Sequence, residues 1–167
     1  MNTFILFWNP QISNFKDQQR SQFVKDLRKG LYYEFSWAIW DWQQAQKGDR
    51  FFRIQCGMSD PAEDGVIDSG YFTSDPFPDD DWSGRGRKVH YIDMEFDAVI
   101  DYNRCPILSS NTLDIRIPHF DWHGGHSGRF LDQVSAAELE SLWQQHLDTI
   151  SSNPKTSKYV YIQPVTM

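Results

Sequence analysis

The sequence predicts an α+β domain in which short strands form a small mixed barrel, with a helix near each end of the chain. Three observations predict this class: short apolar and aromatic segments separated by turn residues, an amphipathic stretch near either end, and no internal repeat or long linker. With 167 residues, 40% hydrophobic and 23% charged, residues 1–167 are expected to form one domain with one core.

Five segments have the composition of strands. Residues 3–8 (TFILFW) are apolar or aromatic and are followed by Asn9 and Pro10, and proline cannot donate to a ladder. Further strands are predicted at 51–55, 66–74, 89–100 and 159–164. Between them, 36–46 is predicted as an aromatic loop entering a short helix, 47–49 as a turn, and 75–81 as an exposed loop rich in proline and aspartate.

Two segments have helical periodicity. In residues 14–29 the side chains of Phe15, Phe23 and Leu27 recur at helical spacing, and Gly30 supplies a stop. Ser135 and Glu138 have the spacing of a capping box, and an amphipathic stretch follows over 139–150.

The net charge of −7 is local. Residues 60–81 contain eight acids and neither lysine nor arginine, so the other 145 residues hold 16 basic and 15 acidic side chains. The charge therefore does not exclude a nucleic-acid partner, whose affinity depends on cations placed against phosphates.

Other classes of protein fit less well. No stretch approaches the length of a membrane span, and the apolar run at 4–8 lacks a basic leader, so a cytoplasmic protein is expected. Cys56 and Cys105 do not form a CxxC pair, and we expect both to be reduced packing residues rather than a zinc or dithiol site.

Residues 81–88 (DWSGRGRK) combine cations with glycines. Glycine N–H groups and guanidinium forks are typical of phosphate sites, so the segment is predicted to bind an anion. The alternative is that its cations neutralise the aspartates just upstream. The predicted phosphate-binding residues are Arg85, Arg87, Lys88 and Arg129, and the anion loop comprises Ser83, Gly84, Gly86, His126 and Ser127.

Residues 119–129 (HFDWHGGHSGR) offer a second chemistry. Their histidines and carboxylate could ligate zinc or iron, but the spacing matches no helical metal motif, and no metal or other cofactor is predicted. The alternative ligand set is His119, Asp121, His123 and His126. A serine hydrolase is disfavoured, because Arg129 stands where the nucleophile elbow around Ser127 needs a glycine.

The chain is rich in flat side chains, with twelve phenylalanines, seven tryptophans and seven tyrosines. Trp37, Trp40 and Trp42 lie at spacings that cannot all point the same way on a helix or strand, so at least one is expected to face a cleft or a partner. Stacking on a base contributes about 1 to 3 kcal/mol per base. The alternative is plain core packing.

The order of these features resembles the EVE domains of the PUA-like superfamily, relatives of the ASCH and YTH domains. The features are Trp8 with Pro10, the aromatic segment and short helix, Gly48-Asp49 before Phe51, and a glycine-rich strand at 65–70. They cover about the first 80 residues. The motifs DWSGRGRK, PILS and DWHGGHSGR in the second half are similar to bacterial EVE-like proteins without an assigned activity.

The resemblance implies a PUA-like mixed β pseudobarrel of five to six strands with flanking helices, and an aromatic pocket for a nucleobase, often a modified one. It implies no catalysis. On this interpretation Trp8, Trp37 and Trp40 enclose the base, while Asn9 and Asp41 hydrogen-bond its edge.

The predicted function is a non-enzymatic module that holds a flipped, modified base of DNA or RNA. One alternative is a metal-dependent enzyme acting on a small anionic substrate through the histidine set. Another is a protein-interaction module that uses the same tryptophans. The sequence leaves any protein partner and the oligomeric state open.

Overall fold

The computed structural model describes residues 1–13, 15–80, 86 and 88–164. In these ranges it confirms the predicted α+β class, with a curled nine-stranded sheet and three α-helices. The strands are β1 (Thr3–Trp8), β2 (Phe35–Ala38), β3 (Arg50–Gln55), β4 (Gly65–Phe72), β5 (Phe77–Asp80), β6 (Lys88–Ile100), β7 (Leu108–Ser109), β8 (Arg129–Leu131) and β9 (Val160–Ile162). The helices are α1 (Arg20–Arg28), α2 (Ser110–Arg116) and α3 (Gln133–Ser152).

The sheet is built around the long strand β6. Its main path runs β2-β6-β4-β3-β1-β8, while β5 and β9 also pair with β6, and β7 pairs with β4. β1 and β3 run parallel, and the other described pairs are antiparallel. None of the helices in the described ranges has the length and apolarity needed to cross a membrane.

The first strand is buried on both of its faces, which confirms the strand predicted at 3–8. Ile5 and Phe7 pack into the core under α2 and α3, whereas Phe4 and Leu6 pack into the core under α1. A strand covered on both sides has no polar face to alternate with, and this explains its unbroken apolar sequence.

The helix predicted at 14–29 is shorter than expected. α1 begins only at Arg20. Before it, the ring of Phe15 packs edge-on against Trp8 and Trp37, with centroid distances of 5.7 and 5.6 Å. Phe15 matches a helical stripe in sequence, but its tertiary packing holds it outside the helix.

The exposed loop predicted at 75–81 is wrong in part. Phe77–Asp80 forms β5 and pairs with the start of β6, from Lys88 to Tyr91. β5 lies at an edge of the sheet, where proline and few apolar residues are tolerated. α2 was not predicted from the sequence; it begins after Ser109, whose side chain accepts a hydrogen bond from Asn111 N.

The predicted capping box before α3 is also wrong in position. The helix starts at Gln133, and the carboxylate of Asp132 accepts a hydrogen bond from the backbone N–H of Ser135. Hydrogen bonds from Ser135 are the main cause that lowers the pKa of Asp132 from 3.8 to about 2.

Asp132→Ala is expected to destabilise the fold by about 1 kcal/mol at neutral pH, the usual contribution of an N-cap. Because the folded-state pKa is lowered, this contribution is present above pH 3.8 and is lost as the pH falls towards about 2. Urea unfolding of wild type and variant should therefore converge in acid. Asp148→Ala, further along α3, is the control and should change little. Equal losses at neutral and acid pH would contradict the assignment.

Candidate nucleic-acid interface

The segment that leaves β2 is fixed by backbone hydrogen bonds to two other parts of the chain. Ile39 N donates to His90 O at 2.9 Å, and Trp40 N donates to Ser127 O at 2.8 Å. Next to Ser127, Gly128 has a φ of +83°, and a Cβ there would lie 2.5 Å from the Cα of Ile39. Glycine is therefore needed where the two segments cross.

Two indole rings on this segment stack on imidazoles. The ring centroids are 3.6 Å apart for Trp40 and His126, and 3.7 Å apart for Trp42 and His90, with interplanar angles of 5° and 10°. Trp40 is 59% exposed and Trp42 is 38% exposed. Each indole is thus covered by an imidazole on one face and is partly exposed to solvent. We call these four residues the indole–imidazole surface.

Ser127 connects this surface to the residues beneath it. Its Oγ accepts hydrogen bonds from Phe7 N at 2.9 Å and from Trp37 Nε1 at 3.0 Å. None of the described residues accepts a hydrogen bond from this hydroxyl, so its proton is available to donate to an acceptor. Trp37 itself is half-buried and lies over the guanidinium of Arg53, 5.0 Å from its Cζ.

Three of the predicted base-binding residues hold the backbone in place. Trp8 is 3% exposed, and its Nε1 donates to Phe15 O at 3.1 Å. Asn9 Oδ1 accepts from Gln11 N, and Asp41 Oδ2 accepts from Phe130 N at 2.7 Å. None of these three side chains has a described contact with the rings of the indole–imidazole surface, and their contact with a base stays a prediction.

Two of the predicted phosphate-binding cations are described, and both are exposed. Lys88 lies two residues before His90 on β6, and therefore on the same face of that strand. Its Nζ pairs with Asp80 at 2.9 Å. Arg129 follows the Ser127 loop, with its Cζ 5.6 Å from the Phe120 ring centroid.

Gly86 is described and has a φ of +75°. The remaining residues predicted for the anion site lie outside the described ranges: Ser83, Gly84, Arg85 and Arg87.

Several acids of the 60–81 tract are engaged locally. Asp68 is buried between Arg20 and Arg53. Asp64 accepts from Met58 N, and Asp75 accepts from Lys47 N. Asp68 is thus paired with two buried cations, whereas Asp64 and Asp75 bind backbone N–H groups of nearby loops.

The three histidines among the four alternative metal ligands have separate side-chain partners. His119 Nε2 lies 2.7 Å from Ser135 Oγ, and His123 Nε2 lies 2.5 Å from an Asp114 oxygen, a contact that raises the pKa of His123. Asp121 accepts from His123 N, and His126 stacks on Trp40. Across the described residues, no group of three or more histidine, cysteine or acidic side chains is arranged to hold a metal ion.

The two cysteines are free and buried. Burial raises the pKa of both thiols to about 11, so they remain protonated at neutral pH. This agrees with the packing role predicted for Cys56 and Cys105.

Sequence reasoning missed His90 as the partner of Trp42, and it missed a cleft beside α1 that contains Arg53. A signal existed for each. His90 is a polar residue on the side of the β6 alternation that carries the buried Ile92 and Met94, and Arg53 is a charge between Phe52 and Ile54 of a fully buried strand.

The fold falls in the class of YTH-like α+β domains. Two solved structures share it: "Crystal structure of Mmi1 YTH domain complex with RNA" and "Crystal structure of the MmI1 YTH domain". Both have a TM-score of 0.50 and cover 89% of this chain. The RNA complex is 11% identical and is covered over 80% of its own chain, and the second structure is 10% identical and is covered over 99%. No family model and no curated protein matches the sequence.

At this level of identity the likeness establishes the fold alone. It confirms the expectation of a fold related to YTH domains. The narrower assignment to the EVE group stays a prediction.

Proposed function

We propose that this chain is a non-enzymatic nucleic-acid-binding module whose indole–imidazole surface stacks on bases. The observation that carries the proposal is the pair of exposed indoles, each already backed by an imidazole on a segment fixed by backbone hydrogen bonds. Rings held in place before binding lose little conformational entropy when a base stacks on them. In addition, one solved structure of similar fold is the Mmi1 YTH domain in complex with RNA.

Neighbouring groups supply contacts to the phosphates and base edges of a nucleic-acid strand. Lys88 and Arg129 are exposed cations beside the surface, and Arg85 and Arg87 extend this set in sequence. Cations of this kind bind phosphates without regard to sequence. The free hydroxyl proton of Ser127 provides a donor for an acceptor atom on a base edge.

The base that stacks on this surface is proposed to be a flipped, methylated one. One base leaves its strand, and a methyl group on it is recognised by contact with an open indole face. A methyl group adds apolar area, and burying it against an indole contributes about 0.8 kcal/mol. Trp40, the more exposed of the two stacked indoles, is the residue proposed to make this contact.

The test is a titration with short single-stranded RNA and DNA, plain and methylated, followed by tryptophan fluorescence and by anisotropy of a labelled strand. The matched control is an abasic strand of the same length. Base-containing strands should quench fluorescence and bind at least about fivefold more tightly than the abasic strand. Binding should also weaken with salt, because counterions are released.

The outcomes separate the parts of the proposal. Equal affinity for the abasic strand would show that the backbone alone is bound, and would overturn base stacking. No binding by any strand at low salt would overturn the function as a whole. Equal affinity for plain and methylated strands would overturn only the recognition of a methyl group.

A further inference from the structure

A cleft of about 320 Å³ lies beside α1, apart from the indole–imidazole surface. It is bounded by the segment before α1, by one side of that helix, and by residues of β2 and β3. Four of its lining side chains are aromatic: Phe15, Phe23, Tyr33 and Phe35. Its volume is at the lower end of the range of about 300 to 1,000 Å³ that is typical of small-molecule sites.

Arg53 lines this cleft, and its guanidinium carries one buried donor without a hydrogen-bond partner among the described residues. Its Nε and Nη2 both donate to the Asp68 carboxylate. Since the guanidinium is planar and rigid, Nη1 is directed away from the Asp68 carboxylate. The side chain is 1% exposed, and Nη1 has no hydrogen-bond partner in the described part of the chain. A buried donor of this kind favours any ligand that supplies an acceptor.

The charges around the cleft indicate that this acceptor is neutral. The two buried cations, Arg20 and Arg53, are matched by Asp68 and by Asp17, which is 9% exposed and lies 3.4 Å from Arg20. The lining also contains Lys16 and Asp26, which add one charge of each sign and leave the balance unchanged. An anionic ligand would add an unmatched charge in a partly desolvated place, at a cost in free energy. A carbonyl oxygen satisfies the donor without that cost.

Asp17 also offers an acceptor next to this donor. Its described contacts, with Arg20 and with the hydroxyl of Tyr102, both use Oδ2. Oδ1 forms no hydrogen bond or ion pair with the described residues, so it can accept from an N–H group of a ligand. The cleft thus combines aromatic walls, one buried donor and one acceptor.

We propose that this cleft binds an uncharged planar lactam, that is, a heteroaromatic ring with a carbonyl next to a ring N–H. The carbonyl accepts from Arg53 Nη1, the ring N–H donates to Asp17, and the ring packs between the aromatic side chains. The ligand is either a free oxo-nucleoside or an oxo-base within a strand. The proposal goes beyond the proposed function, because a free nucleoside would bind here even if no strand did.

The first test compares inosine with adenosine, which carries an amino group in place of the carbonyl. Titration calorimetry of the wild-type protein should show inosine binding, with adenosine at least about tenfold weaker, because its amino group leaves Arg53 Nη1 unpaired. An inosine-containing single strand that binds while free inosine does not would assign the source as a strand. Equal affinity for the two nucleosides would overturn the proposal. It would also be overturned if neither the free nucleosides nor the inosine-containing strand bound.

The second test changes the donor. Arg53→Lys keeps a cation beside Asp68 but removes Nη1, and it should weaken inosine binding at least about tenfold. Arg50→Lys, on the same strand but outside the cleft lining, is the matched control and should leave the affinity unchanged. A folded Arg53→Lys protein with unchanged affinity would refute the assignment.

A measurement on the wild-type protein covers the case in which Arg53→Lys does not fold. The Arg53 side-chain NMR resonance should shift on addition of inosine and not of adenosine, and no shift would also refute the assignment. Trp40→Ala should not alter free inosine affinity, so failure of this site and failure of the indole–imidazole surface are distinguishable.

Discussion

Asp68→Asn is expected to destabilise the fold by about 3 to 5 kcal/mol, the usual loss when one partner of a buried ion pair is removed. Asp68 is fully buried and contacts Arg20 at 3.1 Å and Arg53 at 2.5 Å. Asparagine has nearly the same shape but carries no charge, so both guanidinium groups would remain buried with less compensation. Chemical unfolding at neutral pH measures the difference.

The control for this substitution is an ion pair on the surface. Lys88 and Asp80 are 71% and 75% exposed, and Asp80→Asn is expected to change the free energy of unfolding only slightly, because solvent screens the pair. Similar losses for the two variants would mean that the position of Asp68 between two arginines is not what makes it important. A loss for Asp68→Asn below 1 kcal/mol would contradict the prediction directly.

The fold class could be predicted because its main strands are visible as apolar segments. β1 is buried on both faces, and on β6 the buried Ile92, Met94 and Phe96 alternate with half-exposed residues. Elements held mainly by tertiary contacts could not be predicted in this way. β5 is held by its backbone pairing with β6. α1 begins only after Phe15, because the ring of Phe15 packs against Trp8 and Trp37.

The candidate site was predictable in part for a related reason. The spacing of Trp37, Trp40 and Trp42 indicated that at least one would be exposed, and two of them are. Their stacking partners come from distant segments, His126 from a loop and His90 from β6. No local pattern specifies such pairs. The histidines of 119–126, by contrast, are close in sequence but have separate partners in space.

Trp40→Ala is expected to weaken binding of single-stranded RNA or DNA by about 1 to 3 kcal/mol, or about 5- to 150-fold, if one base stacks on its open face. Trp42→Ala should have a smaller effect, because less of its ring is exposed. Affinities for the labelled strand, measured by anisotropy for the wild type, the two single variants and the double variant, form a double-mutant cycle. A coupling energy above about 0.5 kcal/mol would indicate that the two indoles bind bases cooperatively.

Tyr32→Ala supplies the matched control for these variants. Tyr32 is also 59% exposed, but it precedes β2, whereas Trp40 follows that strand. If any exposed aromatic side chain contributed to binding, both variants would lose affinity for the strand. If the indole–imidazole surface is specifically required, only Trp40→Ala should lose affinity. Because the exposed face of Trp40 makes no core contact, its variant should keep the wild-type midpoint of unfolding within a few degrees. Equal affinities for Trp40→Ala and Tyr32→Ala would remove the indole–imidazole surface from nucleic-acid binding.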